Sequence, residues 1–208
     1  MTELVFILDR SGSMAGMEAD TIGGFNSLIE KQLRESNDVV ISTVLFDNHT
    51  EIIHDRLPLE KVPKLTDQEY TVRGCTALLD AVGGAIHHIG NVHKYARPED
   101  RPKKTLFFIT TDGMENASRH YDYDHVRRMI TRQQEKYGWE FIFLGADIDV
   151  AKEAGRMGIR RERALSYRKS GDGIERMYSL ASDAVLSECK NLPFDNILKE
   201  FSKDERNK

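Results

Sequence analysis

The chain has 208 residues, and its 30 Lys and Arg residues nearly balance its 34 Asp and Glu residues, for a formal net charge of -4. This balance argues against a protein whose main task is to hold nucleic acid through counterion release. Two widely spaced cysteines exclude a disulfide scaffold and a cysteine-rich zinc site, and no apolar run reaches the about 18 residues of a membrane-spanning helix.

The first predicted element, residues 4–8, is a short apolar strand in an acidic N-terminal segment. This run is too short for a signal peptide, so we expect a soluble protein of a reducing compartment, the cytoplasm. Three similar apolar stretches predict further buried parallel strands. They cover residues 39–46, 105–110 and 140–144. Residues 50–55 follow a tight turn and predict a hairpin with 39–46, and 163–167 predict a weaker sixth strand.

Apolar residues at helical spacing predict four helices between these strands. The spacings run over residues 22–33, 78–89, 123–130 and 174–184, with Asp172 as the expected N-cap of the last. Alternating strands and helices predict an α/β fold: a Rossmann-like, doubly wound, mostly parallel sheet with one antiparallel edge strand and helices on both faces. We expect one domain over residues 1–190 and a C-terminal extension over 191–208 that frays from Ser202.

Two glycine pairs, Gly23-Gly24 and Gly83-Gly84, lie inside helical patterns. Each glycine costs about 0.5–1 kcal/mol relative to alanine in a helix, so the pairs need a reason. Close packing of the helices on the sheet is the favoured interpretation. The alternative is that the glycines let the helix starts lie close beneath the loops of a functional site.

Polar side chains follow the first strand. Asp9 comes directly after the apolar run, and Ser11 and Ser13 follow in a loop that contains Gly12. In open α/β sheets, ligands bind beyond the carboxyl ends of the strands, where the strand order reverses. Carboxylate and hydroxyl oxygens suit a small, hard cation such as Mg²⁺.

Two other loops can supply oxygens to the same place. Thr76 lies in a glycine-containing loop that opens the second helix, and Asp112 follows the strand at residues 105–110. The alternative that Asp9, Ser11 and Ser13 merely cap a turn and a helix leaves Thr76 and Asp112 unexplained.

These elements together resemble the von Willebrand factor A domain and its metal-ion-dependent adhesion site. The matching motifs are Asp-x-Ser-x-Ser at Asp9, Gly-x-Thr-x-Leu at Thr76 and Thr-Thr-Asp-Gly at Asp112. They span residues 5–113, and the strand–helix pattern extends the resemblance to about residue 187, most like small stand-alone bacterial or phage members. The resemblance implies that Ser11 and Ser13 bind Mg²⁺ or Mn²⁺ directly.

The resemblance also implies roles for the other three residues. Asp9 and Asp112 would bind the metal directly or through water, and Asp9 would also orient the serine loop. Thr76 would bind the metal directly in the ligand-competent arrangement. A carboxylate from Asp or Glu of a partner protein would complete the coordination, so we expect a protein-binding module and no enzyme.

Two other functions stay open at this point. The first is a Mg²⁺-dependent phosphatase or hydrolase, since Asp9 resembles the nucleophile position of haloacid dehalogenase-like phosphatases. Those proteins carry a second Asp two residues later, where this chain has Ser11. The second is a structural subunit with a vestigial metal site.

Several residues near the predicted site have less specific interpretations. For Asp147 and Asp149 one interpretation is a rim contact or an outer-shell acid, and the favoured alternative is that Asp149 caps the following helix. Glu115, Asn116 and Arg119 are expected on the site rim, where they either select a partner or solvate a loop. Cys75 is predicted to be a small buried filler. The seven histidines, and the arginines at 127, 128, 160, 161 and 163, are expected at the surface or at edges.

Overall fold

The computed structural model describes residues 1–35, 38–190 and 195–206, and its strands form one sheet. The strands are β1 (Thr2–Asp9), β2 (Val39–Phe46), β3 (Thr50–Pro58), β4 (Lys104–Thr111), β5 (Glu140–Gly145) and β6 (Ala164–Ser166). Their order is β3-β2-β1-β4-β5-β6. Only the edge pair β2–β3 is antiparallel, and the other neighbouring strands are parallel. The predicted fold class is confirmed.

Six α-helices cover the described part of the sheet. They are α1 (Glu18–Glu35), α2 (Leu78–Tyr95), α3 (Tyr123–Tyr137), α4 (Val150–Arg156), α5 (Gly171–Cys189) and α6 (Asp195–Arg206). The helices α1, α5 and α6 pack on one face, and α2, α3 and α4 pack on the other. Within the described residues, no helix is both long and apolar enough to cross a membrane.

The two central strands are apolar on both sides because each side meets helices. Along β1, Phe6 points to the face of α1, where its ring stacks on Phe108 at 5.4 Å and meets Phe25 edge-on at 5.5 Å. Val5 and Ile7 point to the opposite face. This continuous burial explains why the strands were recognisable as apolar runs without polar alternation.

The C-terminal extension contains a helix that the sequence analysis did not predict. Ile197, Leu198 and Phe201 recur at one-turn spacing, and all three pack against the core, with Leu198 only 2% exposed. The helix continues to Arg206, and the expected fraying from Ser202 stays a prediction. The last two residues, 207 and 208, lie outside the described part. The domain boundary at residue 190 stays a prediction.

One glycine of each pair packs against a tyrosine ring. A Cβ on Gly24 would lie 2.2 Å from the ring of Tyr178 in α5, and a Cβ on Gly83 would lie 2.5 Å from the ring of Tyr121. Neither Gly23 nor Gly84 has an atom within 4 Å of the position where its Cβ would be. One glycine of each pair thus permits another segment to pack closely on its helix. That segment contributes a tyrosine ring, whereas the prediction was packing on the sheet.

Three local expectations are corrected by tertiary contacts. His54 is buried, not at the surface, and lies 2.9 Å from Thr43 Oγ1; its burial lowers its pKa. Arg163 is 8% exposed and its Nε donates to Glu140 at 3.0 Å. Asp172 lies in the first turn of α5, where Ser170 caps the helix by accepting from Gly173 N at 3.2 Å.

Candidate metal centre

The predicted metal ligands gather at the carboxyl ends of β1 and β4. These strands are neighbours at the centre of the sheet, while β2 flanks β1 on its other side. The strand order therefore reverses at this point, which is where ligands bind in open α/β sheets. Asp9 ends β1, and Asp112 directly follows β4.

Four side-chain oxygens from three loops lie in contact with one another. Ser11 Oγ is 3.1 Å from both Ser13 Oγ and Thr76 Oγ1, and Ser13 Oγ donates to Asp112 Oδ1 at 2.5 Å. Adjacent ligands of an octahedral ion with bonds of 2.1 Å are about 3.0 Å apart. The hydroxyl spacings therefore already match neighbouring positions in a Mg²⁺ shell.

Asp9 organises the serine loop. Its Oδ1 accepts a hydrogen bond from Ser11 N at 2.7 Å, and its Oδ2 accepts one from Thr111 Oγ1 at 2.6 Å. The side chain is buried, and burial raises the pKa of Asp9 above its usual value, although the hydrogen bonds from Thr111 and Ser11 oppose this effect. These are the contacts that the predicted orienting role of Asp9 requires.

Asp112 has an oxygen without a hydrogen-bond donor. Its Oδ2 is buried, and the ammonium of Lys169 lies 2.8 Å away in an ion pair that lacks hydrogen-bonding alignment. Lys169 also donates to the Ser13 carbonyl at 2.5 Å. A carboxylate oxygen is a suitable metal ligand, but here the Lys169 ammonium lies against it.

Hydrogen bonds between loops fix the position of Thr76. Its backbone N–H donates to Asn116 Oδ1 at 3.0 Å, and Asn116 N donates back to the Thr76 carbonyl at 3.0 Å. On the other side, Gly12 N donates to the Gly74 carbonyl at 3.1 Å. Gly74 has φ +70°, and a Cβ there would lie 2.0 Å from Asn48 Oδ1. Glycine is therefore required at this turn.

Two of the remaining rim residues cap helices. Glu115 accepts from Leu79 N at 2.9 Å in the first turn of α2, so its carboxylate caps that helix. Asp149 caps α4 by accepting from Lys152 N at 3.1 Å, as expected. Asp147 follows β5 with φ +54°. Arg119 is exposed beside the site loops.

Cys75 is exposed, and the expectation that it is a buried filler is wrong. Its N–H donates to Asn48 Oδ1 at 2.8 Å, which fixes the backbone of the loop. The adjacent Thr76 is buried in the cluster. The loop therefore directs one side chain inward and its neighbour outward, which residue type alone does not reveal.

The donor set determines which metal would fit. Over the described residues, no group of three or more His, Cys, Asp or Glu side chains could hold a metal ion. The cluster instead combines two carboxylates, Asp9 and Asp112, with three hydroxyls. Such all-oxygen sets suit Mg²⁺ or Mn²⁺ better than zinc, which prefers nitrogen and sulfur.

Two residues of the cluster were not predicted from the sequence. Thr111 donates a hydrogen bond to Asp9 Oδ2. Its place in the Thr-Thr-Asp-Gly motif, directly before Asp112, could have identified it as part of the site. Lys169 reaches the cluster from the segment between β6 and α5, and nothing in the local sequence indicated this.

Solved structures with the same fold are numerous, although no protein-family model and no curated protein matches the chain. The von Willebrand factor type A structure from Catenulispora acidiphila has a TM-score of 0.59 at 13% identity, covering 89% of this chain and 42% of that one. The fold is that of a von Willebrand factor A domain.

Two other similar structures are those of an adhesin and of a metal-bound protein. The open conformation of the pilus adhesin SpaC from Lactobacillus rhamnosus GG has a TM-score of 0.66 at 11% identity, over 90% of this chain and 30% of that one. Proximal thread matrix protein 1 from the mussel byssus, with a zinc-occupied MIDAS motif, has a TM-score of 0.58 at 15% identity. The match covers 90% of this chain and 46% of that one. The chain spans less than two thirds of the length of these three structures.

Gly113 leaves room for the hydroxyl donors. A Cβ there would lie 3.0 Å from Thr76 Oγ1 and 3.2 Å from Ser13 Oγ. We expect Gly113→Ala to fold but to bind Mn²⁺ about 10–100-fold more weakly, the usual effect of disturbing residues that position metal ligands. Isothermal titration calorimetry with Mn²⁺ measures this. Gly155→Ala is the control, since no atom lies within 4 Å of its Cβ position. Equal affinities in both variants would contradict the expectation.

Proposed function

We propose that this protein is a metal-dependent protein-binding module. Asp9, Ser11, Ser13, Thr76 and Asp112 hold a Mg²⁺ or Mn²⁺ ion, and the ion binds a carboxylate of a partner protein. The observation that carries the proposal is the contact of four oxygens from three separate loops, at spacings of 2.5–3.1 Å.

The charge of the donor set favours a carboxylate as the incoming ligand. Hydroxyls are neutral and donate little charge, and the two carboxylates of Asp9 and Asp112 only balance a dication. A metal held in this way stays electrophilic, and little excess negative charge repels an acidic partner.

The surface beside the cluster supports an acidic partner. A groove of about 1960 Å³ runs between α2 and α3 and reaches the site loops at Arg73 and Asn116. Its charged lining is mostly basic, with two acids, Asp47 and Asp80. Both acids are bound within the chain, Asp47 by Arg73 at 2.9 Å and Asp80 by backbone donors that include Arg119 N at 2.9 Å. The five Lys and Arg side chains of the lining outnumber these two acids, so the groove has a net positive charge.

The geometry of Asp9 favours binding over phosphoryl transfer. Both of its oxygens accept hydrogen bonds, and the side chain is buried behind the serine loop. A nucleophilic carboxylate needs an oxygen that can approach the substrate. Asp9 instead holds Ser11 in place, and with both oxygens already accepting hydrogen bonds it would bind the metal through water.

Affinity capture from an extract of the source organism tests the function. We expect immobilised wild type to retain a protein in Mg²⁺ and to release it with EDTA. Thr76→Val, which keeps the shape but lacks the hydroxyl, should not retain it, whereas the control Thr131→Val on α3 should. A protein held equally by Thr76→Val, or retained in EDTA, contradicts the proposal. Phosphatase turnover that disappears in Asp9→Asn would favour an enzyme.

A further inference from the structure

The positively charged side chain of Lys169 lies in the proposed metal site. Lys169 Nζ is 2.8 Å from Asp112 Oδ2, and it donates to the carbonyl of Ser13 at 2.5 Å. The Asp112 side chain is 0% exposed, and that of Lys169 is 28% exposed. The ammonium therefore lies against two of the five residues proposed to hold the metal.

The segment that carries Lys169 forms a compact turn. Ser170 N donates to the Arg168 carbonyl at 2.8 Å, and Gly173 N donates to Ser170 Oγ at 3.2 Å. A Cβ on Gly173 would lie 2.0 Å from the Arg168 carbonyl oxygen. These contacts form a compact turn that places Lys169 beside the cluster.

The ion pair compensates charge that a metal would otherwise balance. Asp9 and Asp112 are both buried at the ends of neighbouring strands. Leaving buried carboxylates without a counter-charge is costly. Lys169 supplies one positive charge at the oxygen of Asp112 that has no hydrogen-bond donor.

We propose that Lys169 is an internal competitor of the divalent cation. Its ammonium pairs with Asp112 when the metal is absent, and it must leave that oxygen when the metal binds. The inference rests on the metal site of the proposed function. Its consequence is that Lys169 lowers the affinity for the metal while keeping the metal-free loops in place, so that occupancy follows the cation concentration.

Mn²⁺ titrations followed by electron paramagnetic resonance test the competition. We expect Lys169→Met to bind Mn²⁺ about tenfold more tightly than wild type, because the ion pair to a buried carboxylate no longer has to be broken. The matched control is Lys103→Met, an exposed lysine near the start of β4, at the opposite end from Asp112. It should bind Mn²⁺ as wild type does. Equal or weaker binding by Lys169→Met overturns the inference.

The outcomes separate this inference from the proposed function. If wild type, Lys169→Met and Lys103→Met all bind Mn²⁺ equally, only the role of Lys169 is wrong. If none of them binds it, the metal site itself is wrong.

Thermal unfolding without metal gives a second readout. Lys169→Met should melt below wild type, and its Tm should rise more than that of wild type when Mg²⁺ is added. Lys169→Arg keeps the charge and should stay close to wild type in both measurements. An arginine variant that behaves like Lys169→Met contradicts a role for the charge.

Discussion

Replacing Asp9 with asparagine is expected to abolish stabilisation of the protein by Mg²⁺. In wild type, Mg²⁺ at 100-fold excess over its Kd should raise the free energy of unfolding by about 2.7 kcal/mol. For a domain of this size, that corresponds to a rise in Tm of about 5–10 °C. Asp9→Asn removes one of the two carboxylate charges on the metal and should show no rise.

The asparagine variant should still fold, which makes the comparison clean. Its side-chain oxygen can accept the hydrogen bond from Ser11 N, and Thr111 Oγ1 can donate instead to the Gly113 carbonyl, 3.0 Å away. Since burial already raises the pKa of Asp9, a neutral side chain relieves a cost of the metal-free state. Without metal, the variant should therefore melt at the wild-type temperature or above it. A Mg²⁺-dependent rise equal to that of wild type would contradict the role of Asp9.

Alanine substitutions at the neighbouring glycines Gly23 and Gly24 should change the free energy of unfolding in opposite directions. Gly24→Ala places a methyl group 2.2 Å from the ring of Tyr178, whose position is fixed by its burial between α1 and α5. Overpacking of this kind costs about 1–3 kcal/mol. Gly23→Ala meets no atom within 4 Å and removes a helix-breaking residue, so it should stabilise by about 0.5–1 kcal/mol.

Urea unfolding of the two variants measures this difference. The midpoint for Gly24→Ala should fall and that for Gly23→Ala should rise, with unchanged slopes. The same experiment can be made at the second pair, because Gly83 lies against Tyr121 and Gly84 faces open space. Gly83→Ala should lower the midpoint and Gly84→Ala should raise it. Destabilisation by both members of a pair would show that helical backbone packing, rather than one tyrosine ring, selects the glycines.

The sheet was predictable because burial on both faces leaves a direct mark on the sequence. β1 and β4 read as continuous apolar runs, since helices cover each side of the sheet. The ends of the edge strands were less certain: β3 continues to Pro58, three residues beyond the predicted end, and β6 is only three residues long. The helix α6 was missed although Ile197, Leu198 and Phe201 have helical spacing, because charged residues dominate its sequence.

The motif residues of the site were predictable because each follows a recognisable strand or opens a helix. Contacts from distant segments were not. Lys169 is 57 residues from Asp112 in the sequence, and its approach depends on how β6 and α5 are placed. The outward direction of Cys75 depends on the bond from its N–H to Asn48, which belongs to a different loop. Residue type and spacing carry no information about such contacts.

The most direct test of the metal-binding claim is the number of Mn²⁺ ions bound by the wild-type chain. The arrangement of Asp9, Ser11, Ser13, Thr76 and Asp112 predicts one ion per chain, displaced by excess Mg²⁺ because both ions accept octahedral oxygen ligands. Binding should disappear in Asp9→Asn. A wild-type chain that binds no Mn²⁺, or that binds it as well as Asp9→Asn does, would contradict the account.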